Sequence, residues 1–368
     1  MLGFAVAAGI GKPTSCFHGG IYSVNPKLVK VDFSSNVNPL GISKAVLASV
    51  SKNLSSISSS YPDPECLELK KNILNYLDSE LDLECICVGN GATEIIHDFA
   101  RSFIRKKSLI PAPTFCEYEV ASIRVGAHVT LVPLKNMRLD PETIIEKSKK
   151  HDAVFLCNPN NPTGLVGTTE IKKVIERLDN SIKVLIDESF IELVDEGNKA
   201  YSFIDKVKEF DNLVVLRSFT KSFALAGLRI GYCVCNPKLA KKIAAKHIFW
   251  NVNGVAQMAA IVALKDAKGI AKARELIQKE RTFMYYYINR NLQNFAALSS
   301  DVNYFLIHLR SGDSQKIRDL MLTKRGILVR DCSTFNGMGS RHIRVAVKKH
   351  DQNLLLLNAL QSLDSDMI

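Results

Sequence analysis

No run of apolar residues in this 368-residue chain approaches the ~18 that a membrane-spanning helix needs, so a globular protein is expected. There is no CxxC. The close cysteine pairs, Cys85-Ile86-Cys87 and Cys233-Val234-Cys235, are separated by one residue and sit in apolar runs, where alternate strand positions share a face. With nine cysteines in all, reduced thiols in a cytoplasmic protein are expected rather than a disulfide framework. Internal repeats are missing, as are a flexible Pro/Gly/Ser linker and an arginine-rich tail. Residues 1–10 are apolar, but they lack a basic start and a cleavage context before Lys12-Pro13, so a frayed or docked terminus is expected rather than a leader.

What is present is ordinary for a globular protein of one large or two moderate domains: 46% hydrophobic and 23% charged residues. Forty-eight Lys and Arg against 37 Asp and Glu give a net charge of +11, in short runs such as Arg105-Lys106-Lys107 that read as solvated faces. That balance suits anionic small molecules; it neither requires nor excludes nucleic acid. Short β-branched runs at residues 84–88, 129–132, 153–157, 183–187 and 213–216 alternate with helical patterns such as 93–103 and 168–178. Near-continuous apolar strands separated by helices imply an α/β fold, a mainly parallel sheet sandwiched by helices. From about residue 237 two long helical patterns, 237–268 and 270–298, are followed by strands at 303–307, 327–329 and 342–347, which reads as a smaller α+β domain beginning near residue 260. In such sheets ligands lie beyond the strand C-termini. Gly89-Asn90-Gly91, Asn158 and Asp187 each close a strand, so they converge on one crevice.

One stretch points to chemistry. In Ser218-Phe219-Thr220-Lys221-Ser222, followed by Arg229, a lone lysine lies among hydroxyls with a guanidinium eight residues on. A desolvated lysine is a nucleophile toward carbonyls, and Ser218, Thr220 and Arg229 offer one dianionic phosphate its donors. Gly91-Ala92-Thr93, opening a helix after a strand, adds backbone N–H groups for the same anion. Asn158-Pro159-Asn160-Asn161-Pro162-Thr163-Gly164 is a stiffened loop that aims an amide. Asp187, at the end of an apolar strand, needs a cationic partner, and a protonated pyridine nitrogen would be one. A metal is not expected, because no further ligands stand near Asp187 at useful spacing.

These motifs, in this order over nearly the whole chain, resemble the fold-type I pyridoxal 5'-phosphate (PLP) enzymes, in the aminotransferase class that includes the histidinol-phosphate enzymes. The resemblance implies PLP on Lys221, its ring nitrogen on Asp187, its phenolic oxygen near Asn161, and its phosphate held by Gly91, Ala92, Thr93, Ser218, Thr220 and Arg229. Tyr118 is matched to the aromatic that stacks on the ring. Tyr61 is matched to a tyrosine reaching the partner subunit's cofactor phosphate, which implies a homodimer with shared active sites. Three segments are implied: residues 1–45 packing with the small domain and the active site, 46–260 binding PLP, and 261–368 forming the small domain.

Within that class, His18-Gly19-Gly20, Asp32-Phe33-Ser34-Ser35-Asn36-Val37-Asn38-Pro39, Trp250-Asn251-Val252-Asn253 and Arg341-His342-Ile343-Arg344 are similar to the decarboxylases of L-threonine O-3-phosphate in cobalamin biosynthesis. By that resemblance Arg344 takes the substrate α-carboxylate, while His18, Gly19, Asn38 and Arg330 surround the rest of a phosphorylated amino acid. Phe190 stands where transaminases place a tyrosine hydroxyl, which also favours the decarboxylase subgroup. The expected function is therefore a PLP-dependent lyase. The alternatives are a histidinol-phosphate aminotransferase and, in a different class, a noncatalytic regulator using its positive charge on DNA. For the last no spare stretch is long enough to form a DNA-binding segment, so neither nucleic acid nor membrane is an expected partner.

Overall fold

The computed structural model describes residues 16–366 apart from 196 and 198, so residues 1–10, expected as a frayed or docked terminus, lie outside the described part. A short β1 (Val31–Asp32) leads to α1 (Lys44–Ser58), capped by Ser43, and α2 (Leu67–Leu77). Alternation begins with β2 (Ile86–Gly89), α3 (Gly91–Phe103), β3 (Lys107–Ala112), α4 (Glu117–Arg124), β4 (His128–Pro133) and α5 (Pro141–Ser148). It continues through β5 (Ala153–Cys157), α6 (Thr168–Arg177), β6 (Lys183–Asp187), β7 (Leu213–Ser218), β8 (Gly231–Cys235), α7 (Pro237–Ala244) and α8 (Gly254–Ala263). The long α9 (Ala267–Asn291) leads into β9 (Phe295–Ala297), β10 (Tyr304–Leu309), α10 (Ser314–Arg325), β11 (Ile327–Leu328), β12 (Arg330–Asp331), β13 (His342–Ala346) and α11 (His350–Asp366).

Seven strands form one sheet in the order β2-β8-β7-β6-β5-β3-β4, parallel except for β8, which runs antiparallel to both neighbours. Strands β5 to β8 are buried at nearly every position because helices cover both faces, which explains their unbroken apolar runs. One core lies on each side of the sheet. A third core belongs to the four-stranded antiparallel sheet β12-β13-β10-β9, packed on α9 and α11. The N-terminal segment joins this third core: β1 pairs with β11, and Phe33 is fully buried there.

Two elements depart from the sequence reading. The basic run Arg105-Lys106-Lys107 is solvated as expected, but it leads into a strand the sequence reading did not name, β3, whose Ser108 to Ala112 are buried. Pro111 is tolerated because β3 shares only Ser108 and Leu109 with β5, so the proline lies beyond that ladder. The helical pattern 237–268 is two helices. Asn253 starts the second by accepting from Ala256 N at 2.8 Å, and Trp250 in the break has a left-handed φ of 59°.

Candidate active site

The C-terminal ends of β2, β3, β5, β6 and β7, with β12, β13 and the segment before β1, enclose a cavity of about 350 Å³. Lys221 follows β7 and projects into it. Its backbone carbonyl accepts from Asn38 N at 3.0 Å, and its ammonium sits 5.9 Å from the centre of the Phe190 ring. Burial first, then the cations Arg344 and Arg229, push the Lys221 ammonium down to about 8, against a weaker opposing pull from Asp187. A lysine so placed is partly a free amine at neutral pH.

Beside it is a cradle for a dianion. Ser218 and Thr220 share a hydrogen bond of 2.7 Å at the end of β7, and Ala92 and Thr93 line the same wall at the start of α3. Gly91 has φ +80°, and a Cβ there would lie 2.7 Å from the Arg229 guanidinium, so only glycine lets the arginine lie against this turn. Hydroxyls, backbone N–H groups and a guanidinium around one gap fit a phosphate.

Asp187, 4% exposed, accepts from the Tyr118 hydroxyl at 2.7 Å and from Ser189 N and Oγ. Burial raises its pKa despite those donors, so it is a carboxylate short of a cation. A lysine for the aldehyde, a phosphate cradle and a buried acid for the ring nitrogen together fit PLP. The loop before Asn161 is pinned by Asn160, which accepts from Thr114 Oγ1 at 2.8 Å and whose carbonyl takes the Tyr304 hydroxyl at 3.0 Å.

Opposite this cradle, Arg330 on β12 and Arg344 on β13 face each other across the strand pair and are both almost completely buried. Arg344 donates to Asn161 Oδ1 and to Ser34 O (2.8 Å), and the Asn36 amide oxygen, once assigned toward it, lies 3.3 Å from two of its nitrogens. Arg330 donates to Phe17 O and to Thr334 Oγ1 at 2.8 Å, and burial followed by Arg344 pushes its pKa down to about 10. Both remain cations at neutral pH. His18 reaches the same rim, its Nε2 2.8 Å from Glu117 Oε1, and Glu117 bridges on to the buried His97 at 3.0 Å. Hydrogen bonds from His18 and then His97 hold the Glu117 carboxyl down at about 2. Gly19 packs against Ser34, where a Cβ would come within 2.5 Å of the carbonyl oxygen.

The cavity thus gathers His18, Gly19, Ala92, Thr93, Tyr118, Asn161, Asp187, Ser218, Thr220, Lys221, Arg229, Arg330 and Arg344, with Gly91 behind Arg229. Three expectations change. Tyr118 has no exposure and stacks at 12° on Phe155, so it serves Asp187 through its hydroxyl; Phe115, edge-on to it at 5.6 Å and partly exposed, is the better placed aromatic. Asn38 does not line the cavity: its side chain donates to Ser222 O at 2.8 Å and accepts from Leu40 N, leaving Asn36 as the amide inside. The expectation of thiols throughout is corrected for two cysteines: Cys16 and Cys116 are disulfide-bonded, while the other seven are free and buried. Tyr61 stands apart, 79% exposed and stacked on Trp250 at 4.3 Å. Glu117, Phe115, Asn36 and Phe335 were given no role from the sequence, although Asn36 stands in the Asp32-to-Pro39 motif.

This geometry is that of the class I and II aminotransferases, whose family profile matches residues 29–360, and the chain belongs to that family of PLP enzymes. It is 37% identical over 335 residues, 89% of each chain, to a provisionally named threonine-phosphate decarboxylase of Caldanaerobacter subterraneus subsp. tengcongensis. Among solved structures it is similar to the histidinol-phosphate aminotransferase from Clostridium acetobutylicum (35% identity, TM-score 0.85, covering 91% of this chain and 99% of that one). It is similar also to the L-threonine-O-3-phosphate decarboxylase from Porphyromonas gingivalis (28% identity, TM-score 0.80, covering 90% and 99%).

Proposed function

We propose that the protein uses PLP to decarboxylate L-threonine O-3-phosphate, giving (R)-1-aminopropan-2-yl phosphate and carbon dioxide, as a step of cobalamin biosynthesis. The observation that carries this reading is the paired guanidinium wall. Arg344 and Arg330 are registered partners on adjacent strands, with His18 at the rim, so two anionic groups only a few bonds apart on one small molecule can each meet a cation. An O-phosphorylated β-hydroxy amino acid has that spacing, and its small size suits a cavity at the lower end of the range for ligand pockets.

When bound, PLP supplies an electron sink for whichever substrate Cα bond stands perpendicular to its ring. Arg344, fixed by Ser34 and Asn161, determines where the carboxylate points. Asp187 supplies the negative charge that keeps a ring nitrogen protonated, and Tyr118 and Ser189 hold that acid in place. Lys221, whose ammonium titrates near 8, carries a proton to Cα after carbon dioxide has left. Phe190 offers Lys221 an apolar ring and no hydroxyl, which supports decarboxylation over transamination.

The second reading, a histidinol-phosphate aminotransferase using 2-oxoglutarate, is favoured by the similarity to the Clostridium acetobutylicum structure. An assay of purified protein with O-phosphothreonine, and separately with histidinol phosphate plus 2-oxoglutarate, decides between them. Carbon dioxide release that does not depend on an oxo acid is expected. Amino transfer as the main activity would overturn the proposal. The working unit is proposed to be a homodimer, because Tyr61, Ile248, Phe249 and Trp250 leave an exposed aromatic and aliphatic ridge for a second copy to cover.

A further inference from the structure

The bridge between Cys16 and Cys116 lies at the rim of the anion pocket. Cys116 is the residue immediately before α4, and Cys16 opens the segment whose next three residues, Phe17, His18 and Gly19, form part of the cavity wall. These two are also set apart chemically. The seven free cysteines are all buried, and burial pushes the thiols of Cys66, Cys157 and Cys332 up to about 12, where they are poor nucleophiles. Cys16 and Cys116 are partly exposed, and the His18 Nε2–H that donates to Glu117 lies 3.5 Å from the Cys16 sulfur.

Apart from the bridge, few polar contacts hold this segment. Arg330 takes the Phe17 carbonyl, Glu117 takes His18, and the Gly20 amide donates to Ser34 Oγ at 2.7 Å. Each is a single hydrogen bond of modest net worth, so the segment is only weakly fixed without the sulfur bond. The bond links positions 100 residues apart in sequence, and thereby places His18 beside Arg330 irrespective of how those contacts fluctuate.

We propose that Cys16 and Cys116 form a reversible redox-modification site, a dithiol that a low-molecular-weight disulfide converts to the bridge, and that the bridge sets the affinity of the Arg330–His18 pocket for phosphate. The Cys16 thiol loses its proton to solvent, and the thiolate attacks the small disulfide RSSR, forming a mixed disulfide and expelling one RS⁻. The Cys116 thiolate then attacks the Cys16 sulfur and expels the second RS⁻. In sum two protein thiols lose two electrons and RSSR gains them as two RSH. Excess small thiol reverses both steps.

The phosphate-affinity part rests on the reading of Arg330 and His18 as an anion pocket, whereas the redox couple itself does not. Two readouts on the PLP-loaded protein therefore separate them. The first is differential alkylation and peptide mapping after equilibration in glutathione buffers of graded potential. Cys16 and Cys116 are expected to titrate together as one two-electron couple while the other seven cysteines stay reduced. The second is calorimetric binding of inorganic phosphate to oxidised and reduced protein, with roughly tenfold weaker binding expected on reduction, the worth of one charge-assisted hydrogen bond. The double variant Cys16→Ser/Cys116→Ser should bind phosphate like the reduced wild type and ignore the redox buffer.

Thiols that remain alkylatable in the most oxidising buffer overturn the redox site. So does stoichiometric zinc retained on both cysteines in the purified protein. Phosphate affinity equal in the two states, with the couple intact, overturns the control of the pocket alone. Loss of O-phosphothreonine decarboxylation with both readouts as expected would instead strike the proposed reaction.

Discussion

In the proposed reaction Lys221 must be a free amine to bond the cofactor, and its surroundings set how often it is. With the ammonium pushed from 10.5 to about 8, roughly one quarter of the lysine is unprotonated at pH 7.5, against about one part in a thousand for an unperturbed side chain. That is a gain of roughly 200-fold in reactive form. Stripping PLP, remixing it with apoenzyme and following the absorbance change across pH 6 to 10 reads this fraction as a capture rate. The rate should climb about tenfold per pH unit below 8 and flatten above it. Burial is the larger cause, and the cations Arg344 and Arg229 come next, so Arg344→Gln should move the midpoint upward without returning it to 10.5. Because the folded value lies below the unfolded one, the same lysine costs the apoenzyme stability below about pH 8, a cost that fades as the pH rises toward 10.5. A capture rate still climbing at pH 9.5 would refute the reasoning, and so would a downward shift in Arg344→Gln. Borohydride reduction and peptide mapping that tagged another lysine would refute the assignment itself.

Three further outcomes follow from the geometry. Gly91→Ala forces a Cβ to within 2.7 Å of the Arg229 guanidinium at a positive φ, so PLP affinity should fall about tenfold, measured by titrating apoenzyme. Tyr118→Phe removes one of the donors to buried Asp187, a charge-assisted bond worth about 1.5–3 kcal/mol, so the acid's pKa should rise further and PLP dissociate about tenfold to a hundredfold more readily, a loss absent if Tyr118 only packs. Arg217, fully buried between Glu188 and Glu192 at 2.7 Å from each, should on change to Met lower stability in urea by about 3–5 kcal/mol at neutral pH. Burial already raises the Glu188 pKa and Arg217 opposes it, so removing the arginine raises it further; stability carried by the neutral acid is lost as pH rises, and the deficit should shrink toward pH 5, a pH-independent deficit counting against this account.

The strands, and the gathering at one cavity of the residues proposed as a cofactor cradle, were legible because they depend on local chemistry. A buried parallel strand must be apolar along its length, and a phosphate needs hydroxyls, N–H groups and a cation, which Ser218, Thr220, Gly91 and Arg229 display in order. What failed depended on direction. Phe115 and Tyr118 lie three residues apart at the mouth of α4, and nothing in their types says which one faces the crevice. Asn36 and Asn38 would share a face in a strand, but the chain turns there, with Val37 N bonded to Ser35 O and Gly41 N to Asn38 O, so one amide enters the cavity and the other braces the Lys221 loop. The Cys16–Cys116 bridge was invisible because it joins residues that only the completed fold brings together.

The stretch from Phe33 to Asn38 has a mechanical consequence. Phe33 accepts from Ala346 N on β13, Ser34 holds Arg344, and within four residues the Asn38 amide grips the carbonyl of Lys221. This short tether therefore harnesses the wall proposed to receive a carboxylate to the loop that carries the Lys221 amine. Swinging β13 inward around a guest cannot leave position 221 undisturbed, and the pull of occupancy on one side reaches the other through a handful of peptide units.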